Sequence, residues 1–170
     1  MTTEAGFNHQ AAILTVSDKA SQGRREDTAG PSLVAALEKA GITVAARDVV
    51  PDEPDQIRAA LKRYADELCY SLVLTSGGTG LSPRDNTPEA TLAVATRLVP
   101  GLAEAMRAEG LRHTPHAMLS RGVCAIRGAT LIVNLPGSPK GALEGLGVIL
   151  PALGHGLDKL RGDTADCARK

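Results

Sequence analysis

One loop of this sequence gathers residues that could bind a phosphate group. The segment TSGGTGLSPRDNTPEAT, residues 75–91, places Gly77, Gly78 and Gly80 directly after an apolar run and ahead of a helix-forming stretch. Glycines adopt backbone angles that are closed to other residues, and without side chains their N–H groups can approach an anion closely. A tight turn between a strand and a helix would need the same residues, so the composition of the loop leaves both interpretations open.

Two carboxylates accompany this loop. Asp85 lies within it, and close to bound phosphates it would be repelled unless a divalent metal ion bridged the carboxylate and phosphate oxygens. Pairing with neighbouring Arg84, or capping of the following turn, is the alternative role for Asp85. Asp52 follows a different apolar segment and could reach the same site, or it could cap a helix that begins near Pro54.

A second candidate anion cradle is Pro136-Gly137-Ser138-Pro139-Lys140, which offers a glycine, a hydroxyl and a lysine, although an ordinary turn would have the same composition. Neither loop matches a standard nucleotide motif. The first lacks the Gly-Lys-Ser/Thr ending of a P-loop, and Pro83 stands where a dinucleotide fingerprint requires its third glycine. His113 and His116 have the spacing of a metal pair, but with no third ligand nearby a structural or surface role is favoured.

The pattern of apolar residues predicts alternating strands and helices. We expect a small hairpin at residues 123–126 and 130–134 or, alternatively, a single central strand at residues 130–135. The other predicted strands are residues 11–17, 42–50 and 72–76. The predicted helices start at Pro31, cover residues 57–68, run from a Thr87 cap towards Leu98, cover residues 102–109, and extend to Leu160 with a division or kink at Pro151. The polar residues 163–170 are expected to fray.

Alternating strands and helices are typical of a single α/β domain with a mostly parallel sheet and helices on both faces. Ligands of such sheets bind beyond the carboxyl ends of the strands. Four segments follow predicted strands, namely Ser17-Asp18, Pro51-Asp52, residues 76–85 and residues 134–140. We therefore expect the glycine loop, both carboxylates and the second cradle to meet at one edge of the sheet.

The composition excludes several classes of protein. A chain of 170 residues favours one domain, and 19 basic against 19 acidic residues with 2% aromatics gives little support for a nucleic-acid partner. The three cysteines, Cys69, Cys124 and Cys167, fit neither a disulfide framework nor a zinc site. There is no apolar run long enough for a membrane span and no signal-peptide pattern at the start, so we expect a cytoplasmic location and no membrane partner.

Three motifs in order resemble the MogA/MoaB family of molybdenum cofactor biosynthesis. They are VPDE at residues 50–53, the loop of residues 75–91, and SRGVCAIRGATLIVNLPGSPKGALEGL, and the likeness extends from about Ile13 to Gly162. The resemblance implies a three-layer α/β/α fold with a core of about residues 11–162. It also implies that the protein forms a trimer or hexamer. The activity implied by the resemblance is the transfer of AMP from ATP to the terminal phosphate of molybdopterin, which requires Mg²⁺ and releases pyrophosphate.

The resemblance also implies roles for particular residues. Asp52 and Asp85 match the two acidic positions tied to catalysis, and Asp85 is the candidate Mg²⁺ ligand. The product would pass to a downstream enzyme of molybdenum insertion. Residues expected to bind nucleotide or pterin are Ser17, Thr75, Ser76, Gly77, Gly78, Thr79, Gly80, Pro136, Gly137, Ser138 and Lys140.

Two positions differ from the commonest family pattern: Asn86 stands where Val is frequent, and Ser76 where Thr is frequent. Neither difference removes a charge. Two alternatives to the transferase are a non-catalytic molybdopterin carrier of the MoaB type and a nucleotide pyrophosphatase of the CinA type. The presence of both acidic positions favours the active transferase.

Overall fold

A computed structural model describes residues 8–164 of the chain, in which six strands form one sheet of order β2-β1-β3-β6-β5-β4. The strands are β1 (Gln10–Val16), β2 (Thr43–Val50), β3 (Leu72–Ser76), β4 (Arg97–Leu98), β5 (Cys124–Arg127) and β6 (Thr130–Leu135). The α-helices are α1 (Asp18–Ser21), α2 (Ala29–Lys39), α3 (Pro54–Lys62), α4 (Thr87–Val94), α5 (Pro100–Leu111) and α6 (Pro139–Leu160). A π-helical turn, Arg63–Glu67, continues α3, and a 3₁₀ helix, Pro115–Leu119, follows α5.

The sheet is mostly parallel, as the sequence predicts. Strands β2, β1, β3 and β6 run in one direction, and β5 and β4 form an antiparallel extension at one edge. The hairpin expected at residues 123–134 is confirmed, because β5 and β6 pair antiparallel, and the alternative of a single strand at residues 130–135 is wrong, although β6 does pair with β3 in the centre of the sheet.

Helices cover both faces of the sheet. Ala11 and Ile13 of β1 pack into a core with α2 and α6, whereas Ala12 and Leu14 pack into a second core with α3 and α4. Successive side chains of a strand point to opposite faces, so a strand that is apolar at every position must be covered on both sides. The three-layer α/β/α architecture is therefore confirmed.

The helix that follows the glycine loop differs from the prediction at both ends. Asn86 occupies the cap position of α4, and the hydroxyl of Thr87 instead donates to the carbonyl oxygen of Gly77 at 2.9 Å. The helix ends at Val94 and not near Leu98, which lies in β4. Thr96 and Val99 donate backbone hydrogen bonds to β5, so pairing at the sheet edge replaces further helical turns.

Other helix boundaries also need correction. Pro151 does not divide the last helix, because α6 is continuous over 22 residues. The segment between β1 and α2, for which no helix is predicted, contains the one-turn helix α1, and α2 starts at Ala29, two residues before Pro31. Cys167 lies outside the described residues, and so do residues 165–170 of the segment that is expected to fray. In residues 8–164 no helix has both the length and the apolar character required to cross a membrane.

Candidate active site

The carboxyl ends of the four parallel strands lie level with one another. Val16 of β1 pairs with Val50 of β2, Thr15 with Ser76 of β3, and Ser76 with Leu135 of β6. The segments that follow these strands therefore leave the sheet at the same edge. All four segments that the sequence places at this edge are found there.

Two adjoining cavities open at this edge. Cavity A, of about 440 Å³, is lined by Gly78, Thr79, Gly80, Asp85, Ala103, Met106, Arg107, Gly110, Thr114, His116, Ala117, Leu119, Ser120, Gly122, Asn134, Pro136, Gly137, Ser138, Gly141, Glu144 and Gly145. Cavity B, of about 430 Å³, is lined by Thr15, Val16, Ser17, Ala20, Arg25, Glu26, Asp27, Thr28, Ala29, Asp52, Ser76, Gly77, Gly78, Asp85, Gly137 and Ser138. The cavities share Gly78, Asp85, Gly137 and Ser138, which we call the shared wall.

Gly77 and Gly78 have a conformational reason to be glycine. Both have positive φ angles, +105° and +63°. A Cβ at Gly77 would lie 2.3 Å from the carbonyl oxygen of Val16, and one at Gly78 would lie 2.3 Å from the hydroxyl of Thr87. The tight-turn interpretation of these two residues is therefore supported, since any side chain would be both strained and obstructed.

The same loop also presents hydrogen-bond donors that no protein group uses. The N–H of Gly77 donates to Leu135 at 3.2 Å, but no hydrogen bond within residues 8–164 uses the N–H of Gly78, Thr79 or Gly80. Thr79 is buried, with 6% of its surface exposed. Because buried backbone N–H groups are almost always paired, this run of free donors is suited to an anion.

The second loop packs directly on the first. A Cβ at Gly137 would lie 3.3 Å from the Cα of Gly77, and the hydroxyl of Ser76 donates to the carbonyl oxygen of Pro136 at 3.0 Å. Ser138 caps α6, where its hydroxyl oxygen accepts from the N–H of Gly141 at 3.2 Å. The two predicted cradles therefore form one continuous surface.

Asp52 is held by the loop after β1. Its Oδ2 accepts a hydrogen bond from the N–H of Asp18 at 2.7 Å, and its own N–H donates to Oδ1 of Asp18 at 3.0 Å. Glu53, not Asp52, occupies the cap position of α3, so the helix-capping alternative is wrong. Burial raises the pKa of Asp52, and the nearby charges of Asp18 and Asp85 raise it further.

Asp85 lies on the shared wall and is oriented by its own loop. Its Oδ2 accepts from the N–H of Ser82 at 2.9 Å, and its N–H donates to the carbonyl oxygen of Ser82 at 2.9 Å. Arg84 does not pair with it, since that guanidinium contacts Asp18 and Glu53 instead. Both candidate catalytic carboxylates approach the glycine loop, since a Cβ at Gly78 would lie 3.2 Å from Oδ1 of Asp52 and one at Gly80 would lie 3.0 Å from Oδ2 of Asp85.

The remaining predicted site residues separate into two groups. Ser17, Ser76 and Gly77 line cavity B, whereas Thr79, Gly80 and Pro136 line cavity A. Thr75 and Lys140 line neither cavity. The hydroxyl of Thr75 is buried and accepts from the amide of Asn134 at 3.0 Å. Lys140 is 84% exposed and lies 3.9 Å from Glu144, so any contact with a ligand requires its side chain to swing inwards.

Asn134 and Arg121 support the site and were missed by the sequence analysis. The buried amide of Asn134 donates to Thr75 and Thr91, both at 3.0 Å, and joins β6 to β3 and α4. Arg121 donates to the carbonyl oxygens of Gly80 and Asp85, at 2.7 and 2.6 Å, and so links the two ends of residues 80–85. Partners 36 to 59 residues apart leave no local signal in a sequence.

The carboxylate oxygens at this site suit a magnesium ion that takes part of its ligands from phosphate groups. No hydrogen bond within residues 8–164 reaches Oδ1 of Asp52 or of Asp85, which leaves one oxygen of each available. No group of three or more metal-type side chains occurs in the described chain, and His113 pairs with Glu109 at 3.2 Å. Mg²⁺ commonly uses one or two carboxylates and completes its shell with phosphates and water.

The fold and the site together define an α/β protein with a two-compartment small-molecule site, built on glycine loops and two carboxylates. The sequence model of the family described as "probable molybdopterin binding domain" matches residues 12–155. The chain belongs to that family, which confirms the resemblance noted from the three motifs.

Similar proteins align with most of the chain. Molybdopterin adenylyltransferase of Helicobacter pylori is 39% identical over 153 residues, covering 89% of this chain and 87% of that protein. Gephyrin of Dictyostelium discoideum is 44% identical over 85% of this chain, which spans only 21% of gephyrin. The crystal structure of the molybdopterin biosynthesis enzyme MoaB from Thermus thermophilus has a TM-score of 0.87 at 53% identity, covering 91% and 98% of the two chains.

Proposed function

We propose that this protein is a molybdopterin adenylyltransferase of molybdenum cofactor biosynthesis. The observation that carries the proposal is the pair of adjoining cavities that share Gly78, Asp85, Gly137 and Ser138. A transferase with two substrates needs to bind both at once, with the reacting groups in contact. The bacterial relative named for this activity covers most of the chain, which supports the same conclusion.

The transfer itself is a direct displacement at phosphorus. An oxygen of the terminal phosphate of molybdopterin forms a bond to the α-phosphorus of ATP. The bond from that phosphorus to the oxygen that bridges to the β-phosphate breaks, and pyrophosphate leaves. The attacking phosphate oxygen is already ionised near neutral pH, so the protein needs to supply neither a nucleophile nor a strong base.

Residues of the shared wall and their neighbours in the two cavities would orient the reacting groups and stabilise their charge. The free N–H groups of Gly78, Thr79 and Gly80 are donors for phosphate oxygens, and they act without reorganisation because the loop is fixed. Asp52 and Asp85 would hold Mg²⁺, which neutralises phosphate charge when bound. Ser17 and Ser138 each use the hydroxyl oxygen as a cap acceptor, so each hydroxyl proton can still be donated.

A direct assay distinguishes this function from the two alternatives. Purified protein is supplied with molybdopterin and Mg-ATP that is labelled in the α-phosphate, and we expect one labelled pterin for each pyrophosphate released. Pterin binding without transfer would favour a carrier and overturn the proposal. Hydrolysis of ADP-ribose in the absence of pterin would indicate a nucleotide pyrophosphatase.

Three expectations from the sequence extend beyond this site. A cytoplasmic homotrimer or homohexamer stays a prediction, as does transfer of the product to a downstream enzyme of molybdenum insertion. The structure uses much of the apolar surface of α6 within one chain, since Ala142, Leu146, Ile149, Leu153 and Leu157 are all buried in the core. An interface would therefore have to use other faces of the molecule as well.

A further inference from the structure

Asp18 and Arg84 connect the two loops that carry the candidate catalytic carboxylates. Asp18 exchanges two hydrogen bonds with Asp52, through Asp18 N to Asp52 Oδ2 at 2.7 Å and Asp52 N to Asp18 Oδ1 at 3.0 Å. The guanidinium of Arg84 donates two hydrogen bonds to the same Asp18 carboxylate, from Nε to Oδ2 at 3.1 Å and from Nη2 to Oδ1 at 2.9 Å. One carboxylate thus links the Arg84 loop to Asp52.

Arg84 is also connected to the second carboxylate, Asp85, through the polypeptide chain itself. It immediately precedes Asp85, and both belong to the compact turn in which Ser82 exchanges two hydrogen bonds with Asp85. Nη2 of Arg84 also lies 2.8 Å from Glu53, the residue after Asp52. Movement of the Arg84 side chain away from these partners would therefore release the Asp85 turn from the loops after β1 and β2.

These contacts are too exposed to serve the stability of the whole fold. The side chains of Arg84, Asp18 and Glu53 are 52%, 31% and 47% exposed, and exposed ion pairs stabilise a folded protein by only about 0–1 kcal/mol. Their geometry is nevertheless specific, since a two-point contact between guanidinium and carboxylate fixes orientation as well as distance. None of these three side chains lines cavity A or cavity B in the described part of the chain.

We infer that Arg84 and Asp18 are positioning residues, which hold Asp52 of cavity B and Asp85 of the shared wall in a fixed mutual arrangement. Neither residue touches a substrate in this account. Each acts through a carboxylate beside it, so its loss misplaces the carboxylates without removing any side chain that lines a cavity. The effect on turnover depends on the proposed adenylyl transfer, whereas the effect on loop order does not.

Steady-state kinetics of Arg84→Gln, Asp18→Asn and the double variant test this inference. We expect each single change to lower kcat about tenfold or more, because small misplacements of catalytic groups have effects of that size. KM for molybdopterin should stay within about twofold, and kcat of the double variant should be no lower than that of the less active single variant, as for two residues that act as one unit. A raised KM for molybdopterin, or losses in kcat that multiply in the double variant, would show that the two residues do not act as one positioning unit, and would overturn the inference.

A matched control lies outside the two cavities. Arg63 pairs with Asp48 at 3.0 Å, with side-chain exposures of 51% and 44%, and neither residue lines cavity A or B within the described chain. Arg63→Gln removes a comparable exposed ion pair and should leave kcat unchanged. An equal loss of turnover in this control would mean that any such pair matters, and would contradict a specific role for Arg84. Arg84→Lys keeps the charge without the two-point contact and should recover only part of the activity.

Amide hydrogen exchange gives a readout that does not depend on the reaction. The N–H groups of Asp18 and Asp52 should exchange faster in Arg84→Gln than in the unmodified protein, and at unchanged rates in Arg63→Gln. If the unmodified protein transfers no AMP, the proposed function fails while the exchange rates still decide the positioning role. Unchanged exchange at both amides in Arg84→Gln would overturn that role, whatever the activity.

Discussion

Cavities A and B share one wall and differ in the other. The outer wall of cavity A comes from α5, α6 and the 3₁₀ helix, and is formed largely by small and apolar residues such as Met106, Gly110 and Gly145. The outer wall of cavity B comes from the segment after β1, and includes Arg25, Glu26 and Asp27 beside Asp52. Two compartments of different chemistry suit two different ligands.

The contrast indicates where binding and transfer are separated. The outer walls belong to one cavity each, so a change there should affect one ligand. The shared wall faces both cavities, so a change there should affect the step that joins the ligands. The comparison therefore predicts different kinetic consequences for residues that lie within the same site.

Asp85→Asn is expected to have the largest effect, because Asp85 lies on the shared wall. The variant should fold normally and lose at least about 10² in turnover, as expected for the removal of one electrostatic contact to the transition state. Asp55→Asn is a control at a carboxylate that is 91% exposed on α3, and it should retain full kcat. Near-normal turnover of Asp85→Asn at saturating Mg²⁺ would show that the charge is not catalytic.

Gly78→Ala should act on the shared wall through conformation. Its φ of +63° and the 2.3 Å approach of a Cβ to the Thr87 hydroxyl are expected to cost about 1–3 kcal/mol of the free energy of unfolding. The exposed Gly147 in α6 has no neighbouring atom within 4 Å of where a Cβ would lie, so Gly147→Ala should be neutral or stabilise by up to about 1 kcal/mol. Urea unfolding measures both, and equal stabilities would remove the conformational explanation for Gly78.

A pair of substitutions in the outer walls separates the roles of the two cavities. Arg25→Gln in cavity B and His116→Gln in cavity A each remove an exposed side chain from a single compartment. Each should raise KM for one substrate about three- to tenfold, the loss of a polar contact, with kcat and the melting temperature nearly unchanged. The two variants should affect different substrates. If both raise KM for the same substrate, the assignment of one ligand to each cavity is wrong.

The smallest effect concerns the titration of two neighbouring carboxyls. Hydrogen bonds from Arg84 lower the pKa of Asp18, whereas burial raises the pKa of Asp52. Because the pKa of Asp18 is lowered in the folded protein, this carboxyl stabilises the fold above the unfolded pKa of about 3.9, and the stabilisation is lost as the pH falls through the folded pKa. The raised pKa of Asp52 has the opposite effect on the stability of the fold. Carbon-13 NMR should show Asp52 titrating at the higher pH, and the reverse order would contradict the two environments.

The fold could be predicted from the sequence because its local signals are strong. The apolar run at residues 72–76 became β3 with the same bounds, and the rule for carboxyl ends brought Asp52 and Asp85 to one edge of the sheet. Local signals were weaker at helix ends. Thr87 has the chemistry of a cap but donates to the Gly77 carbonyl oxygen, and Pro151 lies within a continuous α6, where a division or a kink was expected.

The supporting contacts of the site could not be predicted in the same way. Arg84 has Asp85 beside it in the sequence, yet it pairs with Asp18, 66 residues away. The choice between these partners depends on how the loops after β1 and β3 face each other, which no short motif records. Arg121 and Asn134 also act across long separations, so their roles became visible only in the folded chain.

Simultaneous binding of the two ligands decides whether each one occupies its own cavity. Protein saturated with molybdopterin is titrated with Mg²⁺ and an ATP analogue whose α,β-bridging oxygen is replaced by a methylene group, so that no transfer can occur. We expect one analogue to bind per chain, with an affinity close to that for the free protein, while the pterin stays bound. Displacement of molybdopterin by the analogue would place both ligands in one compartment and contradict the account.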